Sequence, residues 1–232
     1  MYDKQLPLSF EYRANQTFGD YYAGSNLETV SLLQDAVVNH TEKQVFIWGE
    51  SGIGKSHLLR ACCDKAHQAD KTSFYFDFAV CDVADPDLFD GLESFDIVCL
   101  DNITRIVGQS AWEIAFFNFY NLHREIGNTL ILSATCPPNE LIINLPDLKT
   151  RLNWGLTLKL KTLGDDDKIA ALIFKAGQMG FEISVQTGRY ILSQYARDLN
   201  YLWSLLETMD HASLAAKRKL TIPFLKEILP QS

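Results

Sequence analysis

The sequence of 232 residues predicts an α/β protein: a parallel five-stranded sheet with helices on both faces, followed by a small all-helical domain. Three observations predict this fold class. The stretch from Gly49 to Ser56 fits the pattern G-x-x-x-x-G-K-[ST] at every fixed position. Apolar runs alternate with helical patterns as far as Gly164, and beyond that residue no strand-like run returns.

The first part of the chain places the glycine-rich stretch between a strand and a helix. A helical pattern begins near Leu27 and continues to about Val38. Residues 44–48 are apolar after Gln44 and predict a buried strand, while Leu58 and Leu59 belong to a later helical pattern with one apolar side. This strand–loop–helix setting is the one in which the motif binds phosphate.

Four further strands and one long helix complete the α/β part. Ser110 and Glu113 have the spacing of a capping box, which predicts the start of a helix. That helix is expected to run to about Glu125, and Gly127 is placed to end it. The apolar runs that predict strands cover residues 72–76, 95–100, 129–133 and 155–160. Phosphate should then lie at the carboxyl ends of the strands.

After Gly164 the pattern becomes helical throughout. Three acidic residues, 165–167, open a helix that ends near Gly180. Further helical patterns cover residues 185–196 and 199–217, with a short one from Pro223. The predicted parts are a tail of residues 1–16, an α/β domain of residues 17–164 and a helical lid of residues 165–232.

The glycine-rich stretch suits a nucleoside di- or triphosphate. Glycines allow the backbone to turn its N–H groups inward around a phosphate, and the start of the following helix adds partial positive charge. Lys55 can bridge the terminal phosphates, and the Ser56 hydroxyl suits Mg²⁺. The residues predicted to contact the nucleotide here are Gly49, Glu50, Ser51, Gly52, Ile53, Gly54, Lys55, Ser56 and His57.

A second polar position follows the third strand. Asp101 ends an apolar run, where a carboxylate would support the Mg²⁺ shell, and Asn102 comes next. An amide is a poor general base because it has no basic lone pair near neutral pH, so slow self-hydrolysis is expected. Both residues would also fit a plain turn at the end of a strand. The predicted cofactors are ADP or ATP with magnesium, and whether the chain hydrolyses ATP stays open.

The composition argues against a membrane-spanning protein and against a secreted one. Hydrophobic residues make up 47% and charged residues 22%, as in ordinary globular proteins. No apolar run approaches the ~20 residues that span a bilayer, and the N-terminus lacks a signal-peptide pattern. The five cysteines form no C-x-x-C pair, which indicates reduced thiols and a cytoplasmic location. The histidines are scattered, so no metal other than magnesium is expected.

The net charge is -8, and it is unevenly distributed. Residues 163–232 contain as many acidic as basic side chains, so the excess of acid lies in the α/β part. Proteins that bind nucleic acids usually need a basic surface to offset the repulsion of the phosphates. The charge therefore favours nucleotide or protein partners.

With these motifs the chain resembles the AAA+ family, and within it the DnaA-related proteins. Residues 17–26 look like the DnaA-type N-terminal box beside the nucleotide. The resemblance implies that Tyr21 or Tyr22 flanks the base, although packing alone would explain them equally well. Residues 145–155 are similar to the box with the arginine finger, and Arg151 takes that position.

Two further positions follow from the same resemblance. Residues 197–202 are similar to the sensor II region, which implies that Arg197 contacts the β- or γ-phosphate from the lid. Thr135 falls at the sensor I position after the fourth strand. DnaA-like proteins usually have Asp at that position, so Thr135 departs from the family pattern.

The chain also departs from DnaA at its two ends. The helix-turn-helix DNA-binding domain and the long N-terminal domains of DnaA are not found, so no direct DNA-binding domain is expected. The short tail resembles a peptide that binds the sliding clamp of DNA polymerase III. The alternative is an ordinary edge segment that packs on the core of its own chain. The predicted clamp-binding residues are the polar Gln5 and the apolar Leu6, Leu8 and Phe10.

The resemblance implies a negative regulator of replication initiation. Such a protein binds nucleotide and the sliding clamp, then presents Arg151 to the ATP of DnaA and promotes its hydrolysis. It also allows a homo-oligomer through the AAA+ interface. One alternative is an ATP-driven helicase or clamp loader, which would need fast self-hydrolysis and a basic DNA-tracking surface. Another is a fragment of a DNA-binding initiator.

Overall fold

The computed structural model describes residues 16–80, 85–216 and 222–228. Its strands are β1 Gln44–Trp48, β2 Ser73–Asp77, β3 Ile97–Asp101, β4 Thr129–Ala134 and β5 Leu156–Lys159. Its helices are α1 Leu27–Asn39, α2 Lys55–Gln68, α3 Ser110–Ile126, α4 Pro146–Leu152, α5 Asp165–Gln178, α6 Val185–Gln194, α7 Leu199–Ala216 and α8 Ile222–Ile228.

The five strands form one parallel sheet in the order β2-β3-β4-β1-β5. Ala134 at the end of β4 pairs with Trp48 at the end of β1, and Asp77 at the end of β2 pairs with Asp101. Because the strands are parallel, their carboxyl ends meet at one edge. The predicted α/β fold with a parallel five-stranded sheet is therefore confirmed.

Helices cover both faces of the sheet. Alternate residues of a strand point to opposite faces, so Ile47 packs with α1 and α2, while Phe46 packs with the buried aromatic residues of α3. The lid helices pack around a third cluster of their own, which includes Leu172 and Leu206. This is the layered α/β arrangement followed by a helical lid that the sequence predicts.

Two local features differ from the sequence-based expectation. Helix α4 was not expected, because it has only seven residues and too few turns to show a helical period. The capping box predicted at Ser110 is also wrong. Helix α3 begins at Ser110, so its N-cap residue is Gln109, and the Gln109 side chain makes no capping hydrogen bond. Glu113 instead accepts hydrogen bonds from the backbone N–H groups of Gly108, Asn144 and Leu145. This buried carboxylate thereby fixes the chain that leads into α4.

None of the helices in the described ranges is long and apolar enough to cross a membrane. The change from sheet to helices falls between β5 and α5. The domain boundaries given above remain predictions, and the predicted tail lies almost wholly outside the described residues.

Candidate functional site

The glycine-rich loop joins the carboxyl end of β1 to the start of α2. Gly52 and Gly54 have φ angles of 78° and 98°, which L-residues rarely adopt. A Cβ on Gly54 would lie 2.7 Å from Cε2 of Tyr21, so this position also lacks room for a side chain. Among the described residues, the backbone N–H groups of residues 50–54 have no acceptor. The loop therefore has the donors and the helix terminus that bind an anion.

Lys55 is the first residue of α2, and its side chain is buried within this loop. Its ammonium donates to the carbonyl oxygens of Gly49 at 2.9 Å and of Glu50 at 2.7 Å. Burial lowers the pKa of Lys55, and the negative charge of Asp101 opposes that shift. The ammonium has no carboxylate within ion-pair distance among the described residues, so its charge is free to attract a phosphate.

The remaining side chains of the loop differ in their contacts and in their exposure. Glu50 accepts a hydrogen bond from the Thr162 hydroxyl at 3.2 Å, beyond the end of β5. Ser51 is exposed, and Ile53 packs against the cluster beneath α1 and α2. Ser56 lies half-buried at the second position of α2, directly after Lys55. The predicted loop residues thus surround one site at the edge of the sheet.

Asp101 ends β3 and is fully buried. One carboxylate oxygen accepts from the Tyr75 hydroxyl at 2.9 Å, and the other accepts a short hydrogen bond from Ser133. The Ser133 hydroxyl in turn accepts from the backbone N–H of Asn102 at 3.0 Å. These contacts fix the carboxylate beside the loop. Neither Tyr75 nor Ser133 was predicted, although both lie near the carboxyl ends of strands.

Asn102 follows in a left-handed conformation with φ 59°. Its side-chain amide donates to Asp77 at 2.8 Å, so the amide faces the end of β2. Sequence reasoning missed Asp77 at this site, although it follows an apolar strand just as Asp101 does. The amide is a donor in this arrangement, and it offers no base to an attacking water.

The two tyrosines of the N-terminal box face different parts of the molecule. Tyr21 lies against Gly54, and its ring centroid is 5.4 Å from that of His57. Burial raises the pKa of Tyr21 to about 12. Tyr22 instead lies 6.0 Å from the ring of Phe174 in the lid. Tyr21 is therefore the tyrosine beside the loop, and Tyr22 packs between the α/β part and the lid.

His57 faces the same N-terminal segment. Its Nε2 lies 2.8 Å from the carbonyl oxygen of Thr17, to which the protonated nitrogen can donate. Burial lowers the pKa of His57, and the hydrogen bond to Thr17 opposes this shift. The contact fixes the box against α2, so His57 supports Tyr21 rather than pointing into the loop.

The lid approaches the loop through the residues just before and within α7. A Cβ on Gly52 would lie 3.1 Å from a carboxylate oxygen of Asp198 and 3.5 Å from the amide nitrogen of Asn200. Arg197 instead forms an exposed ion pair with Asp165 at 3.1 Å. The predicted phosphate contact of Arg197 therefore stays a prediction, while Asp198 is a lid residue that sequence reasoning missed.

Thr135 lies just after β4 and is exposed. The residue of β4 that contacts Asp101 is Ser133, two positions earlier. The role of Thr135 beside the nucleotide stays a prediction.

Arg151 lies in the last turn of α4, at the opposite end of the sheet from the loop. Its guanidinium lies over three aromatic rings, at 4.8 Å from the centroid of Phe117, 5.7 Å from that of Tyr120 and 5.4 Å from that of Trp154. The Tyr120 hydroxyl donates to Gln44 at 2.6 Å and lies 3.3 Å from the Arg151 carbonyl oxygen. Because Gln44 begins β1, Arg151 is separated from the loop by the length of that strand.

The predicted clamp-binding residues, Gln5, Leu6, Leu8 and Phe10, lie outside the described residues. Within the described ranges no group of three or more His, Cys, Asp or Glu side chains could hold a metal ion. A magnesium ion would therefore need oxygen atoms from the nucleotide or water in addition to those of the protein.

Solved structures resemble this chain in fold. AMPPCP-bound DnaA from Aquifex aeolicus is 20% identical, with a TM-score of 0.74 over 92% of this chain and 69% of that chain. Domain III of DnaA from Thermotoga maritima is 18% identical, with a TM-score of 0.75 over 93% of this chain and 98% of that one. A RuvB variant from Thermotoga maritima is 15% identical, with a TM-score of 0.69 over 92% and 70%. At these identities the likeness shows the fold alone.

Family models show more than the fold. The model of the bacterial DnaA ATPase domain matches residues 13–159, which is more than half of the chain. The model of the lid domain of Hda matches residues 165–229. The chain thus belongs to the DnaA-related AAA+ family, and its helical lid matches the model of the Hda lid domain.

Proposed function

We propose that this protein regulates the initiation of DNA replication by promoting ATP hydrolysis in DnaA. It binds ADP or ATP at its own glycine-rich loop, docks on the sliding clamp through residues 5–10, and presents Arg151 to the nucleotide of DnaA. Its membership of the DnaA-related family and its Hda-type lid support a role in replication initiation.

Nucleotide binding is supported by the loop itself. Unpaired backbone N–H groups, the N-terminus of α2 and the ammonium of Lys55 together form a site for a di- or triphosphate. DnaA from Aquifex aeolicus has been solved with AMPPCP in the same fold. Tyr21, which lies against Gly54, would flank this nucleotide.

Magnesium fits the same site in part. The Ser56 hydroxyl is an oxygen donor, and both oxygens of the Asp101 carboxylate already accept hydroxyl hydrogen bonds. Since each oxygen of an ionised carboxylate can accept twice, Asp101 can still bind a water molecule of a magnesium shell. The ion, when bound, would neutralise charge on the phosphates.

The observation that carries the trans-acting role is the position of Arg151. Its backbone is tied to Gln44 at the amino end of β1, whereas the loop begins at Gly49 beyond the carboxyl end. Five residues of strand span about 16 Å, so Arg151 cannot reach the nucleotide of its own chain. An arginine that serves phosphate chemistry from this position must act on a second protein.

Arg151 has the chemistry that this role requires. A guanidinium is always protonated and offers several donors in a fixed plane, which suits the charge that develops on a transferred phosphoryl group. Among the described residues Arg151 has no carboxylate partner, so its charge is not neutralised by an ion pair. Cationic groups supplied in this way can accelerate hydrolysis by about 10³- to 10⁵-fold.

The experiment is a single-turnover assay of ATP–DnaA with clamp loaded on DNA. Arg151→Ala should abolish the stimulation of hydrolysis, and Arg151→Lys should restore little, since one ammonium cannot reproduce the planar fork. Lys149→Ala is the matched control, because it removes an exposed cation from the same helix. Full stimulation by Arg151→Ala, with normal folding and nucleotide affinity, would reject the mechanism.

Docking on the clamp is tested separately. The double variant Gln5→Ala, Leu8→Ala should lose clamp binding in a pull-down and keep the nucleotide affinity and thermal midpoint of the parent. A fall in the thermal midpoint with clamp binding retained would show that the tail is structural.

A further inference from the structure

Trp154 is a large apolar residue at the surface. It is 54% exposed, so it contributes little to the core. The guanidinium carbon of Arg151 lies 5.4 Å from the centroid of its ring, and that of Arg124 lies 5.1 Å away. One exposed indole therefore contacts two cations, within the range of cation–π attraction.

The backbone of Trp154 and the side chain of Arg124 each make a further hydrogen bond. The backbone N–H of Trp154 donates to the Arg151 carbonyl oxygen at 3.0 Å, which ties the two backbones together just after α4. Arg124 donates to the Tyr120 hydroxyl at 3.2 Å, so its position over the indole is also held. The backbone of Trp154 is thus tied to that of Arg151, and its ring lies against two guanidinium groups.

The end of α4 is equally well fixed. Gln44 is buried, donates to the Leu152 carbonyl oxygen at 2.9 Å and accepts from Tyr120. These hydrogen bonds hold the backbone at the end of α4, whereas the Arg151 side chain retains its own rotatable bonds. An unrestrained arginine samples many rotamers, and each unreactive rotamer reduces the fraction of molecules in which the guanidinium is ready.

We propose that Trp154 is a positioning residue, which holds the Arg151 guanidinium in the orientation that acts on the partner's ATP. This inference rests on the proposed function of Arg151. The guanidinium carbon lies 4.8 Å and 5.7 Å from the ring centroids of Phe117 and Tyr120 on α3, and 5.4 Å from that of the exposed Trp154. The indole carries no charge, so it acts through Arg151 and not directly on the phosphoryl group.

The test compares Trp154→Leu with Trp154→Phe in the DnaA ATPase assay. Loss of one exposed cation–π contact is worth about two- to fivefold in the population of the positioned rotamer. Trp154→Leu should therefore lower the maximal stimulation by that factor and leave the half-saturating concentration unchanged. Trp154→Phe retains an aromatic face and should recover most of the loss.

A spectroscopic measurement reports the position of Arg151 without any partner. The Nε–Hε resonance of Arg151, identified by its disappearance in Arg151→Lys, should be shifted by the ring currents of the three aromatic rings. Trp154→Leu should move it toward the position of a free arginine, and Trp154→Phe should move it less. If Trp154→Leu does not fold, Trp154→Gln, which also lacks an aromatic face, takes its place in both measurements.

Each outcome bears on one claim. If Arg151→Ala abolishes stimulation while Trp154→Leu keeps full activity and an unmoved resonance, the positioning role is overturned and the finger stands. A rise in the half-saturating concentration at unchanged maximal stimulation would also overturn it, since Trp154 would then contact the partner directly. Full activity of Arg151→Ala would instead remove the proposed function.

Discussion

Gly54→Ala should damage the nucleotide site far more than it damages the fold. Gly54 has a φ of 98°, and an added Cβ would lie 2.7 Å from Cε2 of Tyr21. A non-glycine residue in the left-handed region costs about 1–2 kcal/mol, partly offset by about 0.4–1 kcal/mol from the stiffer unfolded chain. The clash adds a second effect, because the ring of Tyr21 must move away from the loop.

Gly91→Ala is the matched control. Gly91 has a φ of 85°, close to that of Gly54, but its added Cβ would meet nothing within 4 Å. Gly91→Ala should lose about 1 kcal/mol of stability, or about 2–4 °C in Tm for a chain of this size, and Gly54→Ala should lose at least as much because of the added clash. Only Gly54→Ala should weaken binding of a fluorescent ADP analogue, by tenfold or more, since it displaces Tyr21 and changes the backbone that donates to phosphate.

The assay is a titration of the ADP analogue, with Lys55→Ala as the reference for a loop that has lost its cation. The double variant Gly54→Ala, Tyr21→Ala removes the clash, so it should recover only the part of the affinity that is lost through distortion of the backbone and not the part that Tyr21 itself contributes. Equal affinity for Gly54→Ala and the parent protein would refute the reasoning, because the loop and Tyr21 would then not form the binding site. Equal loss in Gly91→Ala would show that the effect comes from stability.

Three further results are expected. Phosphate release by the isolated chain at saturating ATP should be far below ~1 s⁻¹, since Asn102 donates to Asp77 and offers no base; faster turnover would favour the helicase or loader class. Tyr120→Phe should cost about 1–3 kcal/mol in urea unfolding because it leaves the buried oxygen of Gln44 without its donor, and an unchanged midpoint would contradict that bond. Burial lowers the pKa of His123 to about 4 from 6.5, so the unfolded chain binds a proton that the folded chain does not, and stability is lost as pH falls through this window. Between pH 7 and pH 5 this amounts to about 2 kcal/mol, and His123→Leu should remove that part of the slope.

The sequence predicts those features that depend on neighbours along the chain. The glycine-rich loop, the strands on either side of it and the start of the lid are visible because each has its own local pattern. Helix α4 escapes prediction because seven residues contain barely two turns. Its residues were identified through the DnaA-type box and Arg151, without any sign of the helix that holds them.

Contacts between strands could not be predicted in the same way. Asp101 on β3 contacts Tyr75 on β2 and Ser133 on β4 because these strands are neighbours in the sheet. The sequence of a single strand does not indicate which strands lie beside it. The hydrogen bond from Asn102 to Asp77 also depends on the fact that β2 and β3 are neighbours. The sequence also could not indicate which of the two tyrosines lies beside the loop. In the structure Tyr22 packs against Phe174 of the lid, and Tyr21 lies against Gly54.

Strand β1 connects the two functional ends of the molecule. Gln44 at its amino end fixes the backbone of Arg151 through Tyr120, and Gly49 begins the loop beyond its carboxyl end. The strand is paired on one side with β4 and on the other with β5, and its central residues are fully buried. A strand held on both edges and both faces cannot change length, so the distance between loop and finger is fixed. Damage to the loop by Gly54→Ala should therefore leave the Nε–Hε resonance of Arg151 where it is, and a shift of that resonance would show that the two ends are coupled by a route other than β1.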